Sequence, residues 1–165
     1  MTGTKNAGNA YAAAGEADLT TAYNNFAGEA GGAILPANIG GETLAAGVYK
    51  TTSAQPSLGI TGNLTLSGSA TDIWIFQIVS TLTTAAGAPG VPASEVILSG
   101  GALPQNVYWV VGSSATLGTY SIFQGSILAQ ASVSVDTGAT LDGRALALNG
   151  AVTLDTNPIV VPPCQ

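Results

Sequence analysis

The chain has 165 residues, enough for one domain, and is 46% hydrophobic but only 7% charged, with a net charge of −6. This acidic balance excludes the electrostatic attraction that dominates binding to nucleic acids and anionic membranes. Histidine is absent and Cys164 is the one cysteine, so Ser-His-Asp and Cys-His catalysis, histidine-ligated metals and an internal disulfide are excluded as well.

The N-terminal residues lack the apolar stretch of a signal peptide, and no apolar run approaches the ~18 residues of a membrane span. Residues 6–29 then predict the single helix. This segment is rich in alanine, and Gly31 and Gly32 end it. An apolar stripe at helical spacing is formed by Tyr11, Leu19, Ala22, Tyr23 and Phe26.

From residue 41 to about 161, short β-prone runs alternate with Gly, Asn, Asp and Ser, which predicts many short strands joined by tight corners. The segments 107–125, 126–143 and 144 onward align at offsets of 18 and 19, and Phe76 aligns with Trp109 at an offset of 33. A period of this length that holds three short strands is typical of one coil of a parallel β-helix. We therefore expect a mainly β domain over residues 1–165, with three-faced coils and a short C-terminal tail.

The first face of the predicted coils is apolar at successive positions, so it is apolar outside as well as inside. We expect the amphipathic helix to cover this face. The aligned columns are Trp109/Ile127/Leu146, Val110/Leu128/Ala147 and Val111/Ala129/Leu148.

The second face alternates, with Leu82, Ala115, Val133 and Val152 pointing inward. Its outward positions hold small, uncharged residues on four coils, which predicts a flat array of methyl and hydroxyl groups. Such an array can order a layer of water, so the predicted ligand is a regular surface. These candidate binding residues are Thr81, Thr83, Ser114, Thr116, Ser132, Ser134, Ala151 and Thr153.

The third face is less regular, with Phe123, Leu141 and Val160 aligned as an inward column. It supplies an alternative set of candidate binding residues at and beside its corners: Thr119, Thr137, Thr140 and Thr156. The aromatic residues Trp74, Tyr108 and Trp109 lie in the doubly apolar strands, so we expect them in the core or under the helix and not as sugar-stacking platforms.

Asp136 and Asp155 fall at equivalent positions of successive coils. Their carboxylates would then lie ~5 Å apart, close enough to share a proton or bind a cation. Polysaccharide-cleaving β-helices use aspartates placed in this way. The competing interpretation is that both residues occupy Asp-Thr corners.

Several of these segments resemble the microbial β-helical ice-binding (antifreeze) proteins of bacteria, fungi and algae. The resemblance is carried by EADLTTAY at residues 16–23, STLTTA at 80–85, VGSSATLGT at 111–119 and GRALALNGAVTLDTN at 143–157. It implies a discontinuous right-handed β-helix flanked by a long helix. Members of this family usually carry a β-coil segment before the helix, whereas this chain opens almost on the helix.

The resemblance further implies ice adsorption, seen as thermal hysteresis and inhibition of ice recrystallisation, with no cofactor, no metal and no catalysis. It implies an extracellular protein that binds the ice crystal surface, and not nucleic acid or membrane. We expect a monomer. The family's loose Thr-(Ala/Gly)-X-(Thr/Asn) pattern falls on residues 80–83, 113–116, 131–134 and 150–153, which lie on the second face. Alternative functions are a structural or adhesion module and a polysaccharide-active β-helix that uses Asp136 and Asp155.

Overall fold

The computed structural model describes residues 7–162, so Asn6, at the start of the predicted helix, and Cys164 lie outside the described residues. The helix α1 spans Ala10–Ala27. It begins there because the side chain of Asn9 accepts a hydrogen bond from the Ala12 backbone N–H at 3.0 Å, and it ends at Gly28.

The strands that follow are all short, and each pairs in parallel with its neighbours in the coils above and below. Side chains alternate across every strand, so the coils enclose one apolar interior. The parallel β-helix with one flanking helix, predicted from the sequence, is confirmed. It has three faces, which we call the helix face, the hydroxyl face and the third face.

The helix face is the one that α1 covers. Its strands are β1 Ala33–Ile34, β3 Gly47–Lys50, β6 Trp74–Ile78, β9 Val107–Val111, and the second halves of β11 Ile122–Ala129 and β13 Thr140–Ala147.

The third face shares a sheet with the helix face because β11 and β13 bend around the corner between them. Gly125 makes this bend with φ +106°, and a Cβ atom there would lie 2.7 Å from the Val107 carbonyl oxygen. The strands are β2 Thr43–Leu44, β5 Gly62–Ser67, β8 Ser94–Ser99, the first halves of β11 and β13, and β15 Ile159–Val160.

The hydroxyl face is a separate five-stranded sheet in which strand order follows coil order. Its strands are β4 Leu58–Ile60, β7 Leu82–Thr84, β10 Ala115–Leu117, β12 Val133–Val135 and β14 Val152–Leu154.

The alignment of the last coil differs from the prediction on two faces. Ile127 pairs with Ala145 and not Leu146, and Leu141 pairs with Ile159 and not Val160. The offset is 18 at Ala147, 19 at Val152 and 18 again at Ile159, so the corner before β14 holds one residue more, and the corner after β14 one residue fewer, than in the preceding coil. Because side chains alternate, a slip of one residue exchanges the inner and outer positions.

The interior is filled by stacked aromatic and aliphatic side chains. Trp109 stacks on Phe76 with ring centroids 4.0 Å apart, and Trp74 is equally buried, as predicted. The indole N–H of Trp74 donates to the Leu44 carbonyl oxygen, and that of Trp109 donates to the Gln124 carbonyl oxygen. The aromatic residues therefore hold successive coils together from within.

The helix packs on the outer side of the helix face through a second apolar cluster. Tyr23 lies against Ile75, Val110 and Leu128, all of which are buried. Tyr11, predicted to share this apolar stripe, is instead 79% exposed and lies outside this cluster, whose helix members all come from the C-terminal half of α1.

The two ends of the β-helix differ. At the β4 end, which we call the capped end, Leu35 and Ile39 are buried and close the interior. At the other end, the open end, β14 and β15 each pair on one side only within the described residues. There Val152 is 41% exposed, whereas Val133, its inward counterpart one coil away, is fully buried.

Candidate functional site

The hydroxyl face carries a straight central row of outward residues, one from each of the strands β7, β10, β12 and β14. Backbone pairing aligns Thr83 with Thr116, Thr116 with Ser134, and Ser134 with Thr153. Neighbouring strands lie ~4.8 Å apart, so these four small side chains repeat at that spacing. The predicted register of this face is therefore confirmed by the strand pairing.

Buried side chains directly behind this row fix its geometry. Leu82, Ala115 and Val133 alternate with the central row and are fully buried. Thr84 also points inward, where its hydroxyl accepts a hydrogen bond from the Gly118 backbone N–H at 2.8 Å. A packed interior of this kind holds the outward side chains in a fixed array.

Within residues 7–162, the central-row hydroxyls of Thr83, Thr116, Ser134 and Thr153 make no hydrogen bond to the protein. They lie on the surface, with Thr83 and Thr153 exposed and the other two half-buried. These hydroxyls are therefore available to water or to an external surface.

The row of residues just before each strand is different, because its hydroxyls are used within the protein. Ser114 accepts a hydrogen bond from the Ser132 backbone N–H at 3.4 Å, and Ser132 accepts one from the Ala151 backbone N–H at 3.3 Å. Thr81 donates to the Ser57 hydroxyl at 2.9 Å. The hydroxyls of this flanking row are therefore tied into the corner, in contrast to those of the central row.

The face extends one coil further than the sequence analysis identified. Gly59 of β4 pairs with Thr83, and Asn38 forms an isolated parallel bridge with Gly59. This coil escaped the alignment because the offset from Gly59 to Thr83 is 24 and not 18 or 19. The alternation of inward Leu58 and Ile60 around Gly59 was the available signal.

Asp136 and Asp155 occupy the corner between the hydroxyl face and the third face. The Asp155 carboxylate accepts a hydrogen bond from the Thr137 hydroxyl at 2.5 Å, and the Asn157 side chain donates to the Asp136 carbonyl oxygen at 2.8 Å. These contacts tie the last two corners together. Within residues 7–162, no three Asp, Glu, His or Cys side chains lie together as they would to hold a metal ion.

The alternative threonines do not share one plane. Thr119 and Thr137 lie in turns and Thr156 in a bend, whereas Thr140 is the first residue of β13 on the third face. Thr119 donates its hydroxyl to the Gly87 carbonyl oxygen at 3.0 Å.

Tyr108 is half-buried against the helix, its ring stacked on Phe26 at 4.2 Å between centroids. Together with the burial of Trp74 and Trp109, this leaves none of the three predicted aromatic residues on the hydroxyl face. The described part of the chain contains no helix long and apolar enough to cross a membrane.

Comparison with known proteins shows which family has this sequence and this architecture. Residues 1–160 match the family model described as Ice-binding-like. The chain is 43% identical over 157 residues to an ice-binding protein of Nostoc sp. (strain HG1), covering 90% of this chain and 53% of that protein. It is 38% identical over 148 residues to an ice-binding protein of Flavobacterium frigoris (strain PS1), covering 88% and 50%.

Among solved structures, the ice-binding protein of the Antarctic ascomycete Antarctomyces psychrotrophicus superposes with a TM-score of 0.84 at 39% identity, covering 94% of this chain and 74% of that one. The chain spans about half the length of the Nostoc and Flavobacterium relatives. The family match over nearly the whole sequence, together with the shared fold, establishes that this chain belongs to the Ice-binding-like family.

Proposed function

We propose that this protein binds ice through the hydroxyl face, with the central row Thr83, Thr116, Ser134 and Thr153 as the main contact. The observation that carries the proposal is the row of four unbonded hydroxyl groups at the strand spacing, on a rigid face whose strands hold no charged residue. Repeated methyl and hydroxyl groups can order water into a layer that joins a crystal. The relatives named above are ice-binding proteins, which supports the same ligand here.

The flanking row Thr81, Ser114, Ser132 and Ala151 has a secondary role in this proposal, since its hydroxyls are partly used within the corner. The proposed activity is adsorption without chemistry and without a cofactor. We further propose that the protein acts outside the cell, where ice would be encountered. The corner threonines Thr119, Thr137 and Thr156 are not required in this mechanism.

The proposal predicts that Thr116→Tyr and Ser134→Tyr each abolish most thermal hysteresis. A bulky ring in the middle of the array would hold the whole face away from a flat crystal. Stability should change by only about 0.5 kcal/mol, because both side chains point outward. Thermal hysteresis and inhibition of ice recrystallisation measure the activity, and urea unfolding measures the stability.

Thr140→Tyr is the matched control, because Thr140 is a half-buried threonine on the third face. It should keep full activity. If Thr140→Tyr loses hysteresis while the two hydroxyl-face variants keep it, ice binds the third face instead. The double variant Asp136→Asn with Asp155→Asn should also keep its hysteresis, whereas a polysaccharide-active enzyme would lose its activity.

A further inference from the structure

The central row of the hydroxyl face continues past Thr83 toward the capped end. Gly59 of β4 pairs with Thr83, and Asn38 forms a parallel bridge with Gly59. Residues that pair across neighbouring strands direct their side chains to the same side of the sheet. Asn38 therefore lies in the same outward row, two strand spacings, or ~10 Å, from Thr83.

Packing behind the row fixes this end of the face as it fixes the middle. Leu58 and Ile60 point inward on either side of Gly59 and are buried. Ile39, which follows Asn38, is also buried, and its backbone N–H donates to the Gly59 carbonyl oxygen at 3.1 Å. The backbone at Asn38 and Gly59 therefore has a fixed place in the row.

Two backbone groups also fix the side chain of Asn38. Its Oδ1 atom accepts hydrogen bonds from the Thr61 N–H at 2.8 Å and the Gly40 N–H at 3.3 Å. Because both partners are donors, the amide oxygen must face them, which leaves the two N–H groups of Nδ2 unused by these bonds. Asn38 is exposed, and among residues 7–162 its Nδ2 atom donates to no other protein atom. The row therefore ends on a fixed hydrogen-bond donor at the surface.

Gly59 leaves a position without a side chain between Asn38 and Thr83. Its φ is not positive, and a Cβ atom there would lie 3.4 Å from the Ala37 carbonyl oxygen and 3.9 Å from the Asn38 Oδ1 atom, which are ordinary contacts. Neither the backbone nor the packing requires glycine at this position. The surrounding segments, residues 33–41 and 51–71, contain no Asp, Glu, Lys or Arg.

We propose that ice contact extends past Thr83 to Asn38, whose Nδ2 group donates to the bound water layer, and that Gly59 interrupts the row. This inference rests on the proposed ice binding and assigns two further residues that determine how far the contact extends. An amide N–H suits the same ligand as a hydroxyl, because each gives a hydrogen bond to a water oxygen at a fixed place. The row then runs over six paired positions, from Asn38 to Thr153.

Asn38→Asp separates this contact from the structural role of the side chain. The new carboxylate can still accept from the Thr61 and Gly40 N–H groups, but it cannot donate and it carries a charge. We expect the variant to lose part of its thermal hysteresis at pH 7 and to regain it below pH ~3, where the carboxyl group is neutral and can donate. The unmodified protein at both pH values gives the baseline, and urea unfolding checks that the variant is folded.

The matched control is Asn63→Asp, because Asn63 is an exposed asparagine on the third face. It should keep the hysteresis of the unmodified protein at both pH values. Full hysteresis in Asn38→Asp at pH 7, or an equal loss in Asn63→Asp, overturns the role of Asn38. A loss that persists below pH ~3 in the folded variant overturns it as well, because the donor is then restored.

Gly59→Ser should raise the hysteresis, because a hydroxyl group at this position joins the central row to Asn38. Gly15→Ser is its control, since Gly15 is an exposed glycine of α1 that also has space for a side chain, and it should leave the hysteresis unchanged. An unchanged or lower hysteresis in Gly59→Ser would show that ice does not contact this position.

Thr116→Tyr distinguishes failure of this inference from failure of the proposed function. If Thr116→Tyr abolishes the hysteresis while Asn38→Asp and Gly59→Ser leave it unchanged, ice binds the hydroxyl face but the contact ends at Thr83. If Thr116→Tyr keeps its hysteresis too, the hydroxyl face is not the ice-binding surface, and both proposals are wrong.

Discussion

The hydroxyl of Ser121 is fully buried and, among residues 7–162, has no hydrogen-bond partner. It lies in the inner corner between the hydroxyl face and the third face, next to Ser94 of the neighbouring coil. Ser94, in contrast, donates to the Ile60 carbonyl oxygen and accepts from the Ala85 backbone N–H. The two serine hydroxyls therefore have opposite effects on stability. Ser94 replaces the hydrogen bonds with water that it loses on burial, and Ser121 does not.

We predict that Ser121→Ala raises the free energy of unfolding by about 1 kcal/mol, since it removes a buried polar atom that has no partner. Ser94→Ala should lower the free energy of unfolding by a similar amount. Urea unfolding of both variants measures the difference. Equal destabilisation by the two substitutions would show that the Ser121 hydroxyl has a partner in solution.

Burial also affects Tyr23, the central contact of the helix. Burial raises the pKa of the Tyr23 phenol above its usual value, and a hydrogen bond with Gln130 opposes this shift. The folded state therefore favours the neutral phenol. Its contribution to stability is full below pH ~10 and is lost as the pH rises through the folded-state pKa.

We expect the free energy of unfolding to fall as the pH rises above ~10, and Tyr23→Phe to make this fall shallower because the ionising group is gone. Urea unfolding at several alkaline pH values measures both slopes. An unchanged slope in the variant would assign the alkaline loss to another group. Tyr49, whose pKa burial also raises, provides the comparison through Tyr49→Phe.

Among the elements, α1 is the one whose attachment depends on a few specific side chains. The Gln77 amide of β6 donates to the carbonyl oxygens of Phe26 and Glu29, both at 2.9 Å. These carbonyl groups have no partner inside the helix, so Gln77 supplies a cap from the neighbouring sheet. Lys50 adds a hydrogen bond to the Gly31 carbonyl oxygen at 2.8 Å.

We predict that Gln77→Ala lowers the free energy of unfolding by about 1–2 kcal/mol, because it leaves partly buried carbonyl groups without donors. Gln124→Ala, a matched change at an outward position of the third face, should alter it by less than about 0.5 kcal/mol. Urea unfolding gives both values. Far-UV circular dichroism would show whether the end of the helix frays.

At the scale of the whole molecule, the coils contribute to stability mainly through their nearest neighbours. The capped end and the open end should therefore respond differently to the same loss of side-chain volume. Ile39 fills the capped end and is fully buried, whereas Val152 at the open end is 41% exposed. The interior between them forms one apolar cluster.

We predict that Ile39→Ala lowers the free energy of unfolding by about 2–5 kcal/mol, as expected for a cavity in a packed core. Val152→Ala should lower the free energy of unfolding much less, because the Val152 side chain is already partly exposed to water in the folded protein. Urea unfolding of the two variants measures the contrast. A larger loss for Val152→Ala would mean that the open end is covered in solution.

The sequence by itself determined the coil architecture, the covering helix and the hydroxyl face. These features follow from local patterns: alternation of small polar and apolar residues along β10 and β12, and continuous apolar runs along β9 and β11. A repeat period of 18 or 19 places such patterns in register without further information. The central row of the candidate site could therefore be predicted residue by residue.

Only the tertiary structure decided the details that depend on neighbouring coils. In the last coil the corner before β14 holds one residue more and the corner after it one residue fewer. No alternation marks corner positions, so the pairing of Ala145 and Ile159 could not be read from the sequence. The exposure of Tyr11 depends on which part of the helix packs on the sheet, and the packed part begins at Leu19. Ser114 is hydrogen-bonded within its corner, whereas the Thr116 hydroxyl is free. This contrast depends on the distance from each hydroxyl to backbone groups one coil away, which a one-dimensional pattern does not specify.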